Sequence, residues 1–336
     1  MVTIKDIAEM THLSPSTVSR VLNHHPAISE STRKLVMECV EKLQYTPNRN
    51  AQNLVRQSSR TIAFMIPDIA DTYFSSAAVG VEEILHQNRY DIVYINTNRE
   101  PARVLGLLNQ CREYQYSGVF VTPDVWDDAL LAAIHAMPVP VISLRRKPPY
   151  TIPEIPYVDS DHYTGAREAT EYLFSLGHTE IALITANTLI YNERQRGYEE
   201  AIRNHRLKKH VSCLKTGVPS SMRFRAGYQA AKELLEGDAS ISAILSTDDR
   251  MAIGVLEYLA ETGRSAPQDV SVIGCDDRPE GQLYPFQLTT IRQDILEIGR
   301  NAAQMMVRMI EDREYQPVSL SLKPRLIVRN STGPKK

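Results

Sequence analysis

From residue 61 onward, short β-rich apolar runs alternate with amphipathic helical patterns, and this alternation restricts the chain to an α/β fold built on parallel sheets. The runs are Thr61 to Ile66, Asp91 to Ile95, Gly118 to Thr122, Val139 to Leu144, Ile181 to Thr185, Ala243 to Ser246 and Val270 to Gly274. Helical spacing falls between them at Ala77 to Gln87, Thr164 to Leu176, Arg225 to Leu235, Met251 to Thr262 and Ile295 to Glu311. The rhythm predicts two sheets, with a boundary near residue 160. Ligands of open α/β sheets bind beyond the carboxyl ends of the strands. Here those ends are Pro67 to Phe74, Pro123 to Trp126, Leu144 to Arg146, Thr247 to Arg250 and Cys275 to Asp277, and they are rich in charge and aromatics. There is no GxGxxG after the first strand and no P-loop lysine, so a nucleotide site has no support. HExxH, GxSxG and paired Cys/His sets are also missing, so no catalytic signature is assembled, and neither a metal nor a cofactor is expected.

The first 60 residues follow a different pattern. Thr3 is placed to cap a first helix, with Asp6 closing a capping box and Ile4, Ile7 and Ala8 forming its apolar face. Ser14 and Pro15 restart the helix, because serine accepts from an orphan N–H and proline at the first position loses no bond. Val18, Val21 and Leu22 then share one face, leaving Pro15, Ser16, Thr17, Ser19 and Arg20 outward. Two short helices with a tight turn and a small polar outer face suit a major groove. Pro15, Ser16 and Arg20 are the expected base readers, Arg20 able to grip guanine bidentately, while Thr17 and Ser19 suit phosphates. A third helix capped by Ser29 carries Leu35, Val36, Cys39, Val40 and Leu43 at helical spacing. The polar stretch that follows, with Ala51, Leu54 and Val55 almost its only apolar residues, reads as a hinge.

Net charge is only −2, but residues 1–60 hold eight basic against five acidic side chains, which leaves the remainder acidic. The excess positive charge lies where DNA would sit. Four scattered cysteines (Cys39, Cys111, Cys213, Cys275) lack metal-ligand or CxxC spacing and are expected to be reduced and structural. The N-terminus has no apolar signal core and no run is long enough to span a bilayer, so a cytoplasmic protein without membrane contact is expected. No C-terminal heptad helix is present, which favours a homodimer over a coiled-coil tetramer. Residues 330–336 read as a frayed tail.

Residues 3 to 60 resemble the head and hinge of the lactose-repressor (LacI/GalR) family of bacterial transcription regulators. The carriers are Thr-Val-Ser-Arg-Val-Leu-Asn at 17 to 23 and Pro-Asn-Arg-Asn-Ala-Gln-Asn-Leu at 47 to 54. The rest resembles that family's effector domain, itself similar to periplasmic sugar-binding proteins. The matching stretches begin at Ile66, Leu176, Arg194, Thr247, Asp269 and Leu288. The resemblance implies an all-α helix-turn-helix head over residues 1–46 and a hinge helix and linker over 47–60. It further implies two Rossmann-like subdomains, residues 61–160 plus 292–321 and residues 161–291 plus 322–330. Thr3, Asn23, Asn48 and Ala51 join the outward residues of the second helix as implied DNA contacts, and Leu54 stands at the family's minor-groove wedge position. In the cleft the implied effector contacts are Tyr73 and Phe74 for stacking, Arg194, Asp248 and Asp276, with Asp124 and Met222 as weaker transfers. Each aspartate could instead be a helix N-cap, and for Asp249 capping is the expected role.

One departure stands out. Where the family commonly has Asp-Arg after the fourth strand, this chain has Leu144-Arg145-Arg146-Lys147. Arg145 beside Arg194 would suit an anionic effector such as a sugar phosphate. Alternatively Arg145 pairs with Asp124, Asp159 or Asp161 and the cleft stays neutral. The expected protein is an effector-controlled repressor of carbohydrate-related genes that binds a pseudo-palindromic operator in double-stranded DNA, and not an enzyme. Its rivals are a catabolite-control-type regulator driven by a phosphocarrier protein and a sugar-binding or carbohydrate-processing protein that binds no DNA.

Overall fold

In a computed structural model, the structure describes all residues except 1, 23–24, 46–58, 146, 149–154, 187–188, 215–221 and 284. Asn23, Asn48, Ala51 and Leu54, and most of the expected hinge, lie outside the described residues. The chain divides into two compact units, Met1–Ser59 and Arg60–Lys336.

In the first unit, α1 (Ile4–Thr11), α2 (Pro15–Leu22) and α3 (Glu30–Lys42) enclose a small core of Ile7, Ala8, Val18, Val21, Val36 and Cys39. α1 stops at His12, whose left-handed backbone (φ 52°) lets the Leu13 N–H return to the Ala8 carbonyl at 3.0 Å. α3 starts on Ser29, whose hydroxyl accepts the Thr32 N–H. Leu35 departs from expectation, since it is 46 % exposed. It sits one residue, about 100° of helical rotation, away from Val36, and on α3 the side carrying Val36 and Cys39 is the one that turns to the core.

The second unit holds two six-stranded sheets. The first sheet contains β1 (Thr61–Ile66), β2 (Asp91–Asn96), β3 (Gly118–Val121), β4 (Val141–Leu144), β5 (Tyr157–Ser160) and, late in the chain, β11 (Leu320–Leu322), in the order β11-β5-β4-β3-β1-β2. The second contains β6 (Ile181–Ala186), β7 (His210–Leu214), β8 (Ala243–Ser246), β9 (Ser271–Cys275), β10 (Thr289–Arg292) and β12 (Arg325–Ile327), in the order β12-β10-β9-β8-β6-β7. Every pairing is parallel except β10 with β12. β3, β4, β6, β8 and β9 are buried at every residue, as strands covered by helices on both faces must be. The chain passes between sheets after β5, after β10 and between β11 and β12.

The helices are α4 (Thr72–Gln87), α5 (Pro101–Glu113), α6 (Asp128–His135), α7 (His162–Ser175), α8 (Leu189–Asn204), α9 (Arg223–Gly237), α10 (Asp249–Glu261), the short α11 (Pro279–Gln282) and α12 (Ile295–Glu311). α12 returns to the first sheet and packs on α4 so closely that a Cβ on Gly80 would lie 2.2 Å from the Leu296 carbonyl oxygen.

The C-terminus is not frayed. Ser331 is buried, its carbonyl accepts the Val272 N–H, and its hydroxyl donates to the Val272 carbonyl and accepts the Thr289 N–H. His178 bonds both the Gly333 carbonyl and the Ser242 hydroxyl, and the Lys335 N–H reaches the Leu176 carbonyl. The tail's polar sequence hid this, because its partners lie 42 to 159 positions away.

Candidate functional site

The head presents its polar residues on local scaffolding. The Asp6 carboxylate accepts from both the N–H (2.7 Å) and the hydroxyl (2.9 Å) of Thr3, which lowers the Asp6 pKa. Ser14 Oγ accepts the Thr17 N–H at 3.1 Å and lies 2.7 Å from Ser16 Oγ and 2.9 Å from Thr17 Oγ1. Pro15, Ser16 and Arg20 are exposed and Thr17 and Ser19 half-buried, while Val18 and Val21 anchor the opposite face at full burial. The expected readers therefore share one solvent-facing side of α2.

In the second unit, the carboxyl ends of β1, β4, β6, β8 and β9 bring together a buried polar cluster. Asp276 is its centre, in a left-handed conformation (φ 111°) just past β9. Its Oδ1 accepts from Arg194 Nη2 (3.1 Å) and Gln293 Nε2 (2.6 Å), and its Oδ2 has no hydrogen-bond partner among the described residues. Arg194, in α8, is 1 % exposed, and it also donates to the Thr247 carbonyl and approaches His162 Nδ1. Burial would raise the Asp276 pKa, but Arg194, Arg278 and Arg145 overcome it and hold the group ionised. Burial lowers the His162 pKa despite Asp159 at 3.1 Å, because Arg194 and Arg145 disfavour a further positive charge.

Asp248 and Asp249 divide their roles opposite to expectation. Asp248 caps α10, accepting the Arg250 N–H at 2.9 Å, and its other oxygen takes Arg223 (2.5 Å) and Tyr191 (3.3 Å). Asp249 is not a cap: its carboxyl turns inward, accepting from Thr290 Oγ1 (2.6 Å) and the Arg278 N–H (2.7 Å). Burial, reinforced by Asp276, pushes its pKa up to about 8. Helix caps and the position beside them use the same residue types, so sequence alone could not separate the two.

The aromatic pair differs from expectation as well. Phe74 is fully buried in the core under the first sheet, ring-edge against Tyr73, and offers no stacking face. Tyr73 is 2 % exposed, and the Arg145 guanidinium lies 3.7 Å from its ring centroid. The cation thus covers the face that a sugar ring was expected to cover. Arg145 adopts a left-handed backbone (φ 67°), which for a long side chain costs about 1–3 kcal/mol. Met222 is 48 % exposed at the start of α9, and its neighbour Arg223 enters the cluster in its place. Asp124 pairs with Arg99 at 3.2 Å on the wall of a small pocket lined also by Thr97, Thr122, Val104 and Leu130. Asp161 caps α7 through the Thr164 N–H. Neither carboxylate is the partner imagined for Arg145. Of the three carboxylates expected to balance Arg145, Asp159 does feel its charge, together with Asp71 and Asp276.

Sequence reasoning did not single out Asp71, His162, Tyr191, Arg223, Arg278 or Gln293. Arg278 donates to Asp71 Oδ1 and Thr72 Oγ1, each at 2.9 Å. Burial would raise the Asp71 pKa, but Arg278 and Arg145 bring it down to about 2. The only signal available was position at a strand end, which Asp71 and Arg278 share with many residues that do nothing similar. Arg145, Arg194, Arg223 and Arg278 are thus set against Asp71, Asp159, Asp248 and Asp276, with Asp249 largely protonated at neutral pH. Buried polar atoms left without hydrogen-bond partners among the described residues include Tyr73 Oη, Arg145 Nε, Asp276 Oδ2 and Gln293 Oε1. Such atoms around one cluster are what a ligand with several hydroxyls would satisfy.

A helix-turn-helix head and an α/β domain with a polar cluster at the facing strand ends define a DNA-binding regulator built on a ligand-binding fold. Residues 3–48 match the model of bacterial regulatory proteins of the lacI family, and residues 170–332 match the periplasmic binding protein-like domain. The chain thus joins a lacI-family helix-turn-helix region to a periplasmic-binding-protein-like domain, and the proteins it matches along its length are LacI/GalR-family transcription regulators. It is 29 % identical to catabolite control protein A of Priestia megaterium over 98 % of this chain and 99 % of that protein. The transcriptional regulator CelR in complex with cellobiose matches with a TM-score of 0.73 at 27 % identity, covering 98 % of this chain and 100 % of that one. The lac repressor dimer bound to operator and the anti-inducer ONPF shares the fold, with a TM-score of 0.86 at 24 % identity over 99 % of each chain. No helix among the described residues is long and apolar enough to cross a membrane.

Proposed function

We propose that the protein is a homodimeric repressor whose operator affinity is set by a neutral, polyhydroxylated effector, a sugar, bound at the Asp276 cluster. The observation that carries this reading is the charge balance of that cluster: arginines and ionised aspartates cancel, while acceptor and donor atoms remain unsatisfied. Uncharged hydroxyls fit such a site because they donate to Asp276 and accept from arginine without adding an uncompensated buried charge. An anionic effector would need an excess of positive charge that Arg145, held over Tyr73 among three aspartates, does not supply. Ser16 and Arg20 read base edges in each half-site, Thr3, Thr17 and Ser19 take phosphates, and Asn48, Ala51 and Leu54 meet the minor groove.

Selection of bound duplexes from a random pool, repeated with neutral sugars and their phosphates, tests this reading. A pseudo-palindromic sequence is expected, with its affinity changed by a neutral sugar and not by phosphates. Enrichment of no duplex would overturn the DNA half. Insensitivity to every sugar, together with a response to a phosphorylated carrier protein, would replace the effector half with catabolite-type control, a reading supported by the likeness to catabolite control protein A.

A further inference from the structure

Within the effector domain, one arginine spans the two lobes, and nothing in ligand chemistry requires it to. Arg278 follows β9 of the second sheet, yet its guanidinium reaches the first turn of α4 beside the first sheet. Nη2 lies 2.9 Å from Asp71 Oδ1 and Nη1 2.9 Å from Thr72 Oγ1, and the residue is 4 % exposed. Both ends of the contact are fixed. Asp71 is the N-cap of α4, and its Oδ1 also accepts the Tyr73 N–H at 3.2 Å, so the arginine grips a helix end and not a loose loop. On the opposite side the Arg278 N–H donates to Asp249, whose other oxygen is tied to Thr290 in β10. The backbone of Arg278 is therefore anchored in the second lobe, and its guanidinium reaches Asp71 and Thr72 from a fixed base. Its Nη2 also lies 3.7 Å from the unsatisfied Asp276 Oδ2, which places the contact at the rim of the cluster read above as the effector site.

We infer that Arg278 is a positioning residue: through Asp71 and Thr72 it clasps the first lobe to the second across the cleft and sets their separation before any ligand arrives. A charge-assisted, doubly hydrogen-bonded arginine suits this task, because a buried pair that opens leaves two desolvated charges unmatched. The inference borrows the effector reading only for its biological meaning. Its test needs no ligand, so it can fail while that reading stands, and the reverse.

The test is a lobe-to-lobe distance distribution in the full chain without ligand. Labels are placed on the exposed Cys213 of the second lobe and on a cysteine replacing the exposed Glu113 of the first. Arg278→Ala and Asp71→Asn should each lengthen or broaden the distribution by more than about 2 Å. The double variant should go no further than the larger single, because both remove one interaction. Arg278→Lys, which keeps the charge and loses the fork, should fall between, and Thr72→Val should give a smaller shift in the same direction. A distribution unchanged by Arg278→Ala in a cooperatively folding protein overturns the clasp. Should that variant fail to fold, an unchanged distribution in both Arg278→Lys and Thr72→Val overturns it equally.

Discussion

The head and the cleft both display polar side chains, but they organise them over very different lengths of chain. In the head, the hydrogen bonds that shape the reading surface join Thr3 to Asp6, Ser14 to Thr17 and Ser29 to Thr32, each three residues apart and exposed to water. In the cleft, Arg194 meets Asp276 across 82 positions, Thr290 meets Asp249 across 41, and Arg278 meets Asp71 across 207, all buried. Local, solvated bonds are worth little individually and leave a surface free for a partner. Distant, desolvated ones cannot be removed cheaply, and they set the charge states of their neighbours.

The largest effect should therefore come from the cleft. Arg194→Ala leaves Asp276 buried with its main cation gone and should destabilise the effector domain by about 3–5 kcal/mol in urea unfolding. A loss below about 1 kcal/mol would mean that the cleft behaves like an exposed pair, and the contrast with the head would collapse.

The next is a pH effect with opposing signs at two carboxyls. Asp249 has its folded pKa raised from 3.8 to about 8, so the native state retains a proton that the unfolded chain loses, and stability should fall as pH rises between those values. Asp249→Asn, which mimics the protonated group, should flatten that slope. Asp71 is lowered from 3.8 to about 2, so its contribution is present above 3.8 and is lost as pH falls toward 2. Unfolding midpoints measured across this range for parent and Asp249→Asn check the sign, and an unchanged slope would place the proton elsewhere.

Arg20→Ala in the head should cost about 1–3 kcal/mol of operator affinity and relax preference at one base position, with the effector domain's unfolding unchanged. Competition binding against a set of single-base operator variants reads both. Smallest of all, Ser14→Ala should remove the cap of α2 and cost about 1 kcal/mol in head stability. Its effect should be confined to the head's own melting transition, and a shift in effector-domain unfolding would show that head chemistry is not local.

Much of the head could be read directly from its residues. Ser14 before Pro15 and Ser29 before α3 fall where side-chain oxygens meet orphan N–H groups, and Val18 and Val21 fall one helical turn apart on the face that closes the core. Leu35 escaped that reading because periodicity marks a face without measuring how much of it a three-helix core can cover. In the larger domain, the apolar runs located β1, β6 and β8, since strands covered on both sides must be continuously apolar. β5, β7 and the short β10 to β12 carry too many polar residues for that signal. The cleft was legible as a location, at strand ends, and as a few residue types. Asp276 and Arg194 meet there, whereas Phe74 went to the core, Met222 to the surface, and Asp124 to a pair with Arg99.

The sequence by itself determined the helix starts of the head, the apolar rhythm of the sheets and the two-part character of the chain, because capping and periodicity act over a few neighbouring residues. Only the tertiary structure decided which carboxyls are charged, why Arg145 lies over Tyr73, how Ser331 is anchored, and which arginine crosses to Asp71. Those outcomes depend on burial and on partners far apart in sequence, and the free energy of a charge is fixed by what surrounds it in space.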